Sequence, residues 1–77
     1  MPTIKIERYT FRFYSSDIGE APHVHVIDCD KMAKIWLQPV STEYNQGYNR
    51  AELNYILKLT RKNQARLLDN WNEYFNR

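Results

Sequence analysis

Hydrophobic and polar positions change period once along this chain, near Asn49. Before it, apolar residues alternate with polar ones in short runs, the two-residue period of half-buried strands. "TIKIERYTFRFY" (3–14) is aromatic and β-branched, with its clearest alternation at Tyr9, Phe11 and Phe13. It reads as a strand with a kink or turn around Glu7–Arg8. "SSDIGEAP" (15–22) is loop by composition. "HVHVID" (23–28) is a short alternating strand, "DCDK" (28–31) a turn, and "MAKIWLQ" (32–38) a third strand closed by Pro39. The short connection makes these last two an antiparallel hairpin. "VSTEYNQGYN" (40–49) reads as a loop in which Gly47 serves a positive-φ turn.

After Asn49 the period is helical. Asn49 with Glu52 three residues on has the form of a capping box. Apolar residues then recur at Leu53, Ile56, Leu57, Leu67, Leu68, Trp71, Tyr74 and Phe75, interrupted by the polar "TRKNQ" (60–64). One long bent helix or two short ones over 50–75 fit equally. The expected fold class is α+β: a three-stranded antiparallel sheet with this helical segment packed on one face.

Strand alternation sorts side chains into two faces. Phe11, Phe13, Val24, Val26, Ala33, Ile35 and Leu37 form an apolar face for the helical segment to cover. Arg12, Tyr14, His23, His25, Lys34 and Trp36 fall on the other. A solvated sheet face is polar in any case. This one carries imidazoles, a guanidinium, an ammonium, a phenol and an indole: groups that exchange protons near neutrality, hold phosphate and stack on bases. On such a face both histidines are expected to be exposed and cheap to replace.

Composition supports one domain over residues 1–77: 43% hydrophobic and 14% aromatic, enough for one small core and opposite to a disordered signature. The single Cys29 excludes an internal disulfide. With no apolar leader and no run long enough to span a membrane, a soluble cytoplasmic protein is expected. Net charge is +2, unevenly spread: residues 1–49 hold five basic against six acidic side chains, and 50–77 hold six against three. Lys58, Lys62 and Arg66, with Arg61 beside them, form a basic helical stripe, most simply a solvated face.

His23 and His25 admit three readings: polar residues on an exposed strand, an acid–base or substrate-binding pair, or metal ligands. An H-x-H pair can chelate, but zinc takes three or four protein ligands. The candidates for a third, Glu20, Asp28 and Cys29, stand at no compelling spacing. Two flanking aspartates also disfavour a Cys29 thiolate.

The strings "FRFYSSDIGEAPHVHV", "AKIWLQPV", "YNQGYNRAEL" and "LLDNWNEYF" together resemble a small bacterial family, domain of unknown function 4160. The E-P-P-H-[VI]-H-V motif is matched except at Ala21, where the first proline is usual; Glu20, Pro22, His23, His25, Lys34, Trp36, Pro39, Asn45 and Gly47 fit the family pattern. The resemblance implies a cytosolic protein encoded beside a second small protein, the pair proposed as toxin and antitoxin. The resulting expectation is a toxin-like component acting on RNA, with a cognate antitoxin as partner and no membrane association. His23 and His25 would serve as base and acid, and Arg12 and Lys34 would stabilise phosphorane charge. Tyr14 or Trp36 would stack on a base, with Glu20 in the substrate-binding set. That scheme needs no metal or cofactor. The rivals are a non-catalytic protein- or nucleic-acid-binding module and a small metal-binding domain.

Overall fold

A computed structural model describes residues 3–14 and 17–75. Five strands, rather than three, form one antiparallel meander in the order β1 (Thr3–Ile6), β2 (Tyr9–Arg12), β3 (His23–Asp28), β4 (Lys31–Leu37), β5 (Val40–Gln46). Two helices follow, α1 (Arg50–Lys62) and α2 (Gln64–Phe75). The α+β class and the antiparallel sheet agree with the sequence reading; the strand count does not.

Two strands come from places where the sequence pattern is faint. The 3–14 run is a hairpin: Glu7 takes a left-handed φ of 58° and reverses the chain, pairing Ile6 with Tyr9 and Thr3 with Arg12. The kink or turn expected around Glu7–Arg8 is a full turn. The 40–49 segment is mostly strand. The chain reverses at Gln38–Pro39, a cis X-Pro bond, and Leu37 pairs with Val40. β5 is an edge strand exposed along most of its length, so it never needs the alternation that betrays a half-buried strand. A register shift between Lys34 and Ile35 gives β5 one extra residue there, opposite β4.

The helical segment divides at Asn63, whose φ of −108° and ψ of 15° leave the helix. Its side-chain amide donates to the Leu59 carbonyl, closing α1, and its own carbonyl accepts from Leu67 N–H inside α2. At the other end of α1 the capping box is complete: Glu52 N–H donates to Asn49 Oδ1 (2.8 Å) and Asn49 N–H to Glu52 Oε1 (3.1 Å). Both helices cover the apolar face. Phe11, Val24, Val26, Ala33, Ile35 and Leu37 are buried against Ile56, Leu59, Leu67 and Trp71. Burial of each such side chain contributes about 1.5–3 kcal/mol.

Candidate functional site

Strand register carries the second face of the sheet as expected. Arg12 pairs with His25, His25 with Lys34, and Lys34 with Tyr44; His23 pairs with Trp36. The expected exposure of the histidines is not met. His23 is fully buried and His25 is 8% exposed. His23 is the first residue of β3, where three aromatic systems enclose it: Trp36 at 5.4 Å, His25 at 5.3 Å and, from α2, Trp71 at 5.1 Å between ring centroids. Tyr14 packs edge-on against the His25 ring at 4.7 Å.

Asp17, which lies in the segment between β2 and β3, completes this burial and has no part in the sequence reading. Its carboxylate is buried beneath the two imidazoles: Oδ1 lies 3.2 Å from His23 Nε2, Oδ2 3.4 Å from His25 Nε2. The local chain holds it there. Asp17 N–H donates to the Tyr14 carbonyl and Glu20 N–H to the Asp17 carbonyl, while Tyr14 N–H donates to Asp17 Oδ2 (2.9 Å). The only sequence signal was an acidic residue six positions before His23, in a loop with no periodicity to aim it. The third-ligand candidates sit elsewhere. Glu20 accepts from Lys34, Asp28 pairs with Arg8 (3.0 Å), and Cys29 is exposed in the β3–β4 turn at a φ of 58°.

The electrostatics follow from burial. Desolvation pushes the Asp17 carboxyl up, but the Tyr14 N–H bond and the two imidazoles in their protonated form outweigh it and leave it below the usual carboxylate range. Burial pushes the His25 imidazole below its ordinary value, against the pull of Asp17. His25 is therefore neutral at neutral pH, beside an ionised Asp17. His23 Nδ1 donates to the Ala21 carbonyl at 2.8 Å, since a carbonyl can only accept.

The remaining predicted residues ring this centre. Lys34 Nζ donates to Glu20 Oε1 at 2.7 Å and lies 4.9 Å over the Trp36 ring. Their hydrogen bond is the main reason the ammonium is raised and the Glu20 carboxyl lowered. Trp36 Nε1 donates to Glu43, the residue added by the register shift. Arg12 is half-buried and donates to Thr3 Oγ1. All seven predicted residues thus gather around β3. The basic helical stripe does not join them; Lys58 and Lys62 line a separate cavity of about 160 Å³ with Glu7, Tyr55 and Leu59.

A family model described as Domain of unknown function (DUF4160) matches residues 9–72, most of the chain and all of this site. The chain belongs to the DUF4160 family. No curated protein and no solved structure matches it. Within this DUF4160 domain the matched span begins at β2 and ends in α2, so it holds Asp17 and both histidines as well as Trp71. No helix of the described residues is long and apolar enough to cross a membrane.

Proposed function

We propose that this DUF4160 domain is the toxin-like member of a two-protein module and that it recognises single-stranded RNA on the sheet face left uncovered by α1 and α2. One observation supports the reading above others: a single row, Arg12–His25–Lys34–Tyr44, crosses four strands on that face. It sets Lys34 beside an exposed tyrosine (42%) and Arg12 at the far end of the same row, with Trp36 two residues along β4 from Lys34 and Tyr14 against the His25 ring. An antiparallel sheet carrying aromatic rings alongside Arg and Lys is a sequence-tolerant stacking platform for unpaired bases. Tyr44 joins the row only because 40–46 is a strand.

The reading is one of recognition. His23 Nε2 and His25 Nδ1 are both buried, and the other nitrogen of each ring faces Ala21 or Asp17. A two-histidine cleavage step therefore requires the rings to be uncovered first. The test is binding of fluorescein-labelled single-stranded RNA by the purified chain, followed by anisotropy. Tyr44→Ala should weaken binding by about 1–3 kcal/mol, the worth of one stacked base. Failure of the unmodified chain to bind any single-stranded RNA at low salt overturns the proposal.

A further inference from the structure

We infer that Asp17, His23 and His25 form a binding site for a divalent transition-metal cation of the Zn²⁺ type. The inference rests on His23 and stands apart from the RNA reading. His23 is wholly buried, and its Nδ1–H is committed to the Ala21 carbonyl. In the neutral ring this leaves Nε2 with an unshared pair. That atom is buried, has no hydrogen-bond partner, and is aimed into the space where Asp17 Oδ1 sits 3.2 Å away. Two lone pairs this close in a dry site repel. A cation between them removes the repulsion.

The arrangement has the form of metal coordination in three respects. Oδ1 of Asp17 is a shared vertex, 3.2 Å from His23 Nε2 and 3.5 Å from His25 Nε2. The three donor atoms lie within 4.8 Å of one another. Ligand atoms on a tetrahedral Zn²⁺ with bonds of roughly 2.0–2.2 Å stand roughly 3.3–3.6 Å apart. Secondly, Nε2 and Oδ1 of the His23–Asp17 pair are close without being aligned for a hydrogen bond. Atoms bound to one cation point at the cation and not at each other. Thirdly, the outer contacts are those that orient ligands: a backbone carbonyl on the far nitrogen of His23, and the Tyr14 N–H on the second carboxylate oxygen.

The donor set, two imidazoles and one carboxylate, suits Zn²⁺, Co²⁺ or Fe²⁺ better than Mg²⁺ or Ca²⁺, which take oxygen ligands. Among the described residues no fourth His, Cys, Asp or Glu joins the cluster, so water would complete the shell. For Nε2 of His25 to ligate, the proton it shares with Asp17 in the metal-free protein moves to His25 Nδ1, the nitrogen left without a partner. The cation would also tie the segment between β2 and β3 onto the sheet.

The experiment is calorimetric titration of the full chain, purified without a His tag and stripped with chelator, with Zn²⁺ and Co²⁺. One equivalent should bind, and Co²⁺ should develop visible d–d absorption. Asp17→Asn and His25→Ala should each weaken binding by no less than the roughly 10–100-fold that even outer-layer partners are worth. The unmodified chain gives a second readout that needs no variant: ¹⁵N shifts of both His Nε2 atoms should move together and saturate at one equivalent. Absence of Zn²⁺ and Co²⁺ binding by the folded unmodified chain overturns the inference. Undiminished binding by folded Asp17→Asn, or shifts that spare the two Nε2 atoms, does so as well.

Discussion

His23 looks from its neighbours like a surface residue, and its surroundings make it part of the interior. Parity groups it with His25, Lys34 and Trp36, away from Phe11, Val24 and Ile35. What parity cannot show is that Trp36, Trp71 and the Asp17 carboxylate close over that face at its end. The energetic consequence is large. His23→Ala removes a fully buried ring from three aromatic contacts and leaves the Ala21 carbonyl and Asp17 without it. It should cost about 2–4 kcal/mol in urea denaturation, the range of large-to-small core changes. Arg12→Ala, half-buried beside His25, should cost well under that. Tyr48 gives a second residue-scale test. Its buried hydroxyl donates to the Val26 carbonyl, and burial pushes its pKa up to about 12. The folded value lies above the unfolded one, so stability is intact below about pH 10 and falls as pH rises towards 12. Ultraviolet titration should show one tyrosine ionising near pH 12, and Tyr48→Phe should remove that step.

Individual elements were legible where burial is one-sided. β4 alternates because one face is packed, β3 alternates in residue type although both its faces are buried, and α1 announces itself through Asn49 and Glu52. β5 was illegible because an edge strand exposed on both faces has no reason to alternate, and β1 merged with β2 because Glu7, an ordinary turn residue in no sense, holds the left-handed φ. The break at Asn63 was ambiguous because "TRKNQ" could solvate either a continuous helix or a junction. Asp17 was out of reach because loop residues carry no period to predict where they point. Two substitutions test the element scale. Asn49→Ala deletes the cap acceptor and should cost about 1 kcal/mol by thermal or chemical denaturation. Gly47→Ala should be destabilising by a similar amount, about 1 kcal/mol or more, since φ is +106° and a new Cβ would stand 3.0 Å from Lys31 Cγ.

The whole molecule is a sheet with two unlike sides. Most of the helical packing and the large apolar side chains occupy one; cations, aromatic rings and the buried Asp17–His23–His25 centre occupy the other, where Trp71 of α2 also meets the His23 ring. Arg50, Lys58, Arg61, Lys62 and Arg66 lie on the helices, so among the described residues the row on the uncovered face depends on Arg12 and Lys34 for its charge. Lys34 is already paired with Glu20. RNA binding should therefore weaken only moderately with salt, and Arg12→Ala should reduce the slope of log K against log salt by about 1.

The metal site depends on the way the imidazoles are seated, and a long-range ¹H–¹⁵N spectrum of the histidine rings in the unmodified chain measures that directly. The account predicts that His23 carries a slowly exchanging proton on Nδ1, held by the Ala21 carbonyl. A His23 ring protonated on Nε2 alone, or one whose ring protons exchange as fast as those of an exposed histidine, contradicts it.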